Sequence, residues 1–125
     1  MYLTQYYHFC FAVYKGQRGP KMDDLFLVKN KHGEKFRLSD KIMTKWETIG
    51  SRLGIEGDTL EAINSDHGRS ESKLRKVFGI WMDNAGGLPN HQEYPLTWKG
   101  LKTLLEDIDK VEVANEYFKF LENVN

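Results

Sequence analysis

The feature that most constrains the fold is a repeated spacing of large apolar residues that runs from residue 46 to residue 114. The clearest block is Leu74, Val77, Phe78 and Trp81, whose spacing of three and four places all four side chains on one helix face. Each such block predicts a short amphipathic helix that must bury its apolar face against a neighbour. The chain is therefore predicted to form a bundle of short helices.

The residues on these apolar faces form the predicted core. The three tryptophans among them could instead anchor a binding surface, where tryptophan is enriched. Each one lies on the apolar stripe of its helix, so packing in the core is the favoured interpretation. The predicted core residues are Trp46, Ile49, Leu53, Leu60, Ile63, Leu74, Val77, Trp81, Trp98, Leu101 and Leu105.

Capping signals divide the blocks into separate helices. Gly54 follows one block, and glycine readily adopts the left-handed conformation that ends many helices. Several residues with a hydroxyl or carboxylate side chain precede an apolar block. There they can accept hydrogen bonds from the unpaired N–H groups in the first turn of a helix. These predicted starts are Ser39, Thr44-x-x-Glu47, Asp58-x-x-Glu61, Ser70, Thr97 and Asp109-x-x-Glu112.

The first 35 residues differ in composition from the rest. Six of the first fourteen are aromatic, and this segment shows none of the three parts of a secretory signal clearly. We expect it to pack against the helices or to be covered by a partner, because exposed it would promote aggregation. Residues 25–38 could form a small hairpin, an irregular lead-in or part of a first helix. The predicted division is an N-terminal extension at 1–35 and a helical domain at 36–125.

Composition disfavours several classes of function. Lys plus Arg and Asp plus Glu both number 18, and this balance argues against nucleic acid or an anionic membrane as the partner. Cys10 is the only cysteine, so no internal disulfide can form and a reducing, cytoplasmic location is expected. The four histidines are scattered without ligand spacing, which disfavours a zinc site.

Enzymatic activity is not predicted. The pairs Asp66-His67 and His91-x-Glu93 suggest acid–base chemistry, but neither has a third partner that would hold it in a shaped pocket. Cys10 has no neighbouring base or cation that would activate its thiol. We expect no cofactor and no small-molecule substrate.

Charge is distributed unevenly along the helical part, and this predicts two complementary faces that could join copies head to tail. The alternative is that both are ordinary solvated helix faces. A smaller candidate surface comprises Glu56 and Asp58 with Arg52, although a polar turn with a cap is the favoured explanation. The predicted basic contacts are Arg69, Lys73, Arg75 and Lys76, and the predicted acidic contacts are Glu106, Asp107 and Glu112.

The order of these blocks resembles the death domain, the six-helix bundle of the death-fold superfamily, and the divergent death domains of invertebrates. The resemblance covers residues 36–122. The sequence departs from the family pattern at three places. Its first helix is weakly marked, Ile49 stands where leucine is commoner, and Leu104 stands where a small residue is frequent. The residues that carry it are the block Trp46–Ile55, Leu60 with Ile63, Leu74 with Trp81, and Thr97-Trp98-x-x-Leu101.

The resemblance implies an all-α, six-helix antiparallel bundle, preceded here by an N-terminal extension of uncertain structure. It implies a cytoplasmic adaptor that associates with other death-domain proteins, and with itself, in apoptotic or innate-immune signalling. Such domains have neither catalytic residues nor a cofactor. The competing interpretation is a helix-turn-helix domain that binds nucleic acid, suggested by the glycine turn at Gly54 and disfavoured by the zero net charge.

Overall fold

The structure is a computed structural model, and it describes residues 18–124. This part of the chain is mostly helical, as the apolar spacing predicted, and it contains one two-stranded sheet. Short 3₁₀ turns occupy Met43–Lys45 and Ala85–Gly87. In chain order the elements are α1 (Met22–Phe26), β1 (Val28–Lys29), β2 (Lys35–Phe36), α2 (Leu38–Ile42), α3 (Trp46–Leu53), α4 (Gly57–Asp66), α5 (Ser70–Asn84), α6 (Trp98–Asp107) and α7 (Val111–Leu121).

One hydrophobic core runs through the bundle, and α5 contacts α1, α2, α3 and α4. Every residue of the predicted core is buried in it, and even Trp46 is only 8% exposed. Trp81 is fully buried, and its indole N–H donates to the carbonyl oxygen of Tyr94 at 3.0 Å. The three tryptophans are therefore core residues rather than surface anchors.

The N-terminal part of the described chain belongs to the same core. Leu25, Phe26 and Val28 are buried in it. The buried Tyr117 hydroxyl of α7 donates to the carbonyl oxygen of Asp24 at 2.6 Å, which joins α1 to the last helix. The predicted boundary between residues 35 and 36 lies within β2, and α1 and the hairpin share the core of α2–α7. The aromatic segment at 1–14 lies outside the described residues.

Residues 25–38, for which the sequence left three alternatives, contain the end of a short helix and a hairpin. Val28 pairs with Phe36 and Lys29 with Lys35 in antiparallel register. Asn30 closes the turn: its side-chain oxygen accepts from the backbone N–H groups of His32 and Glu34, both at 2.9 Å. The hairpin lies on α7, where the Phe36 ring contacts the rings of Tyr117 and Phe120.

Two of the predicted helix ends are confirmed. Gly54 ends α3 with φ 92°, in the left-handed region that glycine tolerates. Thr97 caps α6, because its hydroxyl oxygen accepts a hydrogen bond from the backbone N–H of Gly100, with 2.9 Å between oxygen and nitrogen.

The other predicted caps are wrong. The helices at these starts have no side-chain cap, and the residues before them are Arg37, Lys45, Glu56, Arg69 and Lys110. The chain enters α3 directly from a 3₁₀ turn, so Thr44 cannot occupy a capping position. Ser39 and Ser70 lie inside their helices, and α7 begins at Val111, two residues after Asp109. Packing of the apolar faces, rather than local hydrogen bonding, sets these starts.

Candidate interaction surfaces

The predicted basic residues do not share one face of the molecule. Lys73 is half-buried; its ammonium donates to the side-chain oxygen of Asn64 at 2.7 Å and lies 5.4 Å from the centre of the Trp46 ring. Arg75 points elsewhere, with its guanidinium 4.0 Å from the centre of the Phe26 ring. Lys73 is therefore partly committed to the fold, while Arg69 and Lys76 are exposed and available to a partner.

A shallow groove of about 360 Å³ runs beside Arg75 and Lys76 along the outer face of α5. Gly79 forms part of this groove, and the nearest atom to a side chain placed there would be the terminal methyl of Met22, at 3.9 Å. The half-buried Ile80 adds apolar surface, while Asp83 and His67 also line the groove. The structure thus places two of the predicted basic residues at the edge of a partly apolar depression.

The predicted acidic residues divide in the same way. Glu106 forms an ion pair with Lys102, with 2.6 Å between carboxylate oxygen and ammonium nitrogen. Asp107 accepts a hydrogen bond from the Tyr94 hydroxyl at 2.6 Å. Of the three, only Glu112 is fully exposed. Two of the three predicted acidic contacts therefore already have partners within the chain.

Tyr94 shows why Asp107 is a structural residue. The side chain of Tyr94 is buried, and that burial, together with the hydrogen bond to Asp107 and its negative charge, raises the pKa of the phenol from 10.0 to about 12. The bond fastens the connection between α5 and α6 to the end of α6. Asp107 contributes to this attachment rather than to an open binding surface.

The exposed acidic surface lies instead at the corner between α6 and α7. Asp109 adopts φ 64°, which turns the chain sharply into α7. Asp109, Glu112 and Glu116 are all exposed, and Val111 between them is 47% exposed. Lys110 is the only basic residue in the stretch 109–116 and is half-buried. We call residues 109–116 the α6–α7 corner.

Further exposed carboxylates lie along α3 and α4, where Arg52 is exposed as well. Glu56 and Asp58 are exposed, as the sequence suggested, and Glu47 and Glu61 are exposed as well. Sequence reasoning assigned Glu47 and Glu61 to capping boxes and so missed them as surface residues. The sequence near the helix starts could not separate the two roles. A carboxylate three residues after a polar residue can either complete a capping box or remain a free surface charge.

The histidines of the two acid–base pairs considered in the sequence lie in different surroundings. The His91 ring nitrogen Nδ1 lies 2.8 Å from the carbonyl oxygen of Leu88 in its own loop. His67 lines the α5 groove. Within residues 18–124 there is no group of three or more His, Cys, Asp or Glu side chains that could hold a metal ion. Cys10 lies outside the described residues.

In the same part of the chain, no helix combines the length and the apolar character needed to cross a bilayer. No family model and no curated protein matches the sequence, and no solved structure matches the fold.

Proposed function

We propose that this protein is a cytoplasmic interaction module of the death-domain type, which associates with other death domains and with itself. Helices α2–α7 would correspond to the six helices of the death fold. The proposal is supported by the residues that carry the resemblance, because their large apolar side chains, which come from successive helices, are buried in one core. It places the chain in apoptotic or innate-immune signal transduction.

The observation that carries the proposal is the separation of exposed charge on one helical molecule. The exposed charges on the α5 side are mostly basic (Arg69, Arg75 and Lys76, with the carboxylate of Asp83), whereas further exposed carboxylates lie on α3–α4 and at the α6–α7 corner. Unlike surfaces of this kind form heterologous contacts, which continue from copy to copy when the rotation does not close. Opposite charge accelerates the encounter and sets the register of the partners.

Light scattering coupled to size exclusion on the full chain, over a range of salt concentrations, tests this function. We expect oligomers at low salt that dissociate as salt rises, because exposed charges separated by more than about 10 Å are screened at 0.1 M salt. A chain that is monomeric at all salt concentrations and that captures no other death domain would contradict the proposal.

Charge reversal at Lys76 is the sharper test of the basic surface. Lys76→Glu should weaken association by about tenfold or more while leaving the unfolding midpoint unchanged, since Lys76 is exposed. Lys99→Glu is the matched control, because it makes the same charge change at an exposed position on α6. Equal association of the two variants would remove Lys76 from the interface.

Reversal at Lys73, which the sequence alone would pair with Lys76, is not equivalent. It would remove the hydrogen bond to Asn64 and the contact with the Trp46 ring. A lower unfolding midpoint is expected for Lys73→Glu, so its loss of association would have two causes.

A further inference from the structure

The outer face of the β1–β2 hairpin carries two like charges directly opposite each other. Val28 and Phe36 form one cross-strand pair on the inner face, where Val28 is buried and the Phe36 ring contacts rings of α7. The next pair joins Lys29 to Lys35, and because side chains alternate along a strand, both lysines lie on the opposite, exposed face. Like charges at such a pair destabilise a hairpin, so their presence here indicates a role outside the fold.

The turn that joins the two strands adds to this positive surface. Lys31 and His32 are exposed, and Gly33 has open space around it, so the turn projects into solvent. The only carboxylate of the hairpin is Glu34, which accepts a hydrogen bond from the side-chain amide of Asn30 at 2.8 Å. The hairpin thus contains three lysines and one carboxylate, and the zero net charge of the whole chain does not describe it.

An exposed apolar side chain lies on the same face as the lysine pair. Leu27 is 44% exposed and lies two residues before Lys29 in extended backbone, so the two side chains share one face. Among the large apolar side chains of residues 18–124, only Val111 is exposed to a similar degree, and it lies between the carboxylates of Asp109 and Glu112. Exposed apolar surface beside lysines is typical of proteins that lie on an anionic membrane.

Other anionic partners fit this face less well. Single-stranded nucleic acid is bound by the stacking of its bases on aromatic side chains, but the Phe36 ring of the hairpin packs against α7. An acidic helical peptide is bound in a groove, whereas the hairpin projects from the surface at Gly33. A projecting face with one apolar side chain and several lysines suits a flat layer of anionic headgroups.

We propose that the outer face of the β1–β2 hairpin binds the surface of a membrane that contains anionic phospholipids. Lys29, Lys31 and Lys35 contact the negatively charged headgroups. Leu27 enters the boundary between the headgroups and the acyl chains, and the attachment is peripheral and reversible. This site goes beyond the proposed function, because the hairpin precedes the helices α2–α7 that would form the death fold.

Sedimentation of the full chain with vesicles of equal parts phosphatidylserine and phosphatidylcholine tests the charged contacts. Binding should weaken as salt rises and should be absent with phosphatidylcholine alone. Lys35→Glu should weaken binding at least about fivefold, which is the contribution of one lysine near an anionic surface. Its unfolding midpoint should stay unchanged or rise, because Lys29 then faces a carboxylate across the strands. Lys99→Glu, with the same charge change at an exposed position on α6, should bind as the wild type does.

The two exposed apolar residues provide a matched pair for the apolar contact. Leu27→Ser should weaken vesicle binding by roughly tenfold, because the apolar surface of leucine is lost from the boundary region. Val111→Ser should bind as the wild type does, because its surroundings are acidic and would be repelled by the same vesicles. Circular dichroism and an unfolding curve would verify that both variants are folded.

Several outcomes would overturn the inference. Equal binding of Lys35→Glu and Lys99→Glu would show that the hairpin does not meet the membrane, and equal binding of Leu27→Ser and Val111→Ser would exclude its outer face. A wild-type chain that does not bind these vesicles at low salt overturns it as well, and retention of duplex DNA in that case would assign the lysines to nucleic acid. Self-association by light scattering is a separate readout, so failure here leaves the proposed function standing.

Discussion

At the scale of single residues, contacts within the fold reassign several charged side chains. The sequence alone predicts Asp107 and Lys73 to be surface charges. In the structure Asp107 accepts a hydrogen bond from the Tyr94 hydroxyl, and the ammonium of Lys73 lies over the Trp46 ring. A charge with a partner in its own chain has fewer hydrogen-bonding positions left for another molecule, and it is held in a fixed place. The exposed residues Lys76 and Glu112 are therefore better candidates for contacts between molecules.

The raised pKa of Tyr94 predicts a specific dependence of stability on pH. The unfolded phenol ionises near pH 10.0, whereas the folded one keeps its proton until about pH 12. The stabilisation that Tyr94 provides is thus complete below about pH 10 and is lost as pH rises towards 12. Tyr94→Phe should lower the free energy of unfolding by about 1 kcal/mol at pH 7, because the hydrogen bond to Asp107 is lost.

Urea unfolding of wild type and Tyr94→Phe from pH 7 to pH 11 would measure this effect. The difference between the two proteins should shrink above pH 10, since only the wild type then loses the contribution of the phenol. Taking the difference cancels the other groups that titrate in this range. A constant difference across the whole range would show that the raised pKa does not contribute to stability.

At the scale of elements, two helical glycines have opposite roles. Gly79 of α5 has space around it, while a side chain on Gly100 of α6 would overlap the carbonyl oxygen of Pro95. The close approach at Gly100 lets Thr97 cap α6 after a tight turn. Identical substitutions at these two positions should therefore have opposite effects.

Gly79→Ala should raise the free energy of unfolding by up to about 1 kcal/mol, since alanine is the better helix former. Gly100→Ala should lower it by about 1–3 kcal/mol, because the α6 turn must shift to make room. Thermal and urea unfolding of the two variants would measure both changes. A decrease for Gly79→Ala would mean that the groove does not have the space that the structure shows.

At the scale of the whole molecule, the N-terminal elements complete the core. A fragment of residues 36–125 lacks Leu25, Phe26 and Val28, together with the carbonyl of Asp24 that binds Tyr117. Burial of each such side chain contributes about 1.5–3 kcal/mol, and a domain of this size has only about 5–15 kcal/mol of total stability. We expect the fragment to have lost most of its stability.

Circular dichroism with urea unfolding would compare the fragment with the full chain. Leu25→Ala in the full chain tests the same contacts without a deletion and should cost about 2–5 kcal/mol. If the fragment unfolds cooperatively at the midpoint of the full chain, α1 and the hairpin do not support the core. Assembly is best measured on the full chain for the same reason.

The sequence by itself determined that α3–α7 are helices and which of their faces are buried, although not where most of them begin. The spacing of Leu74, Val77 and Trp81 follows the helical repeat, so each side chain could be assigned to a face before its neighbours were known. The glycine end of α3 and the threonine cap of α6 were predictable because they depend on residues next to each other in the chain. Burial then follows because large apolar side chains are expelled from water.

Tertiary structure decided how residues 25–38 fold and which charges remain available. Residues 25–38 contain no long periodic stretch, so packing against α7, together with the local turn at Asn30, selected the hairpin there. The partners of Lys73 and Asp107 lie 9 and 13 residues away in the chain, beyond the reach of local patterns. The α5 groove likewise depends on packing, because His67 at the end of α4 lines it together with residues of α5.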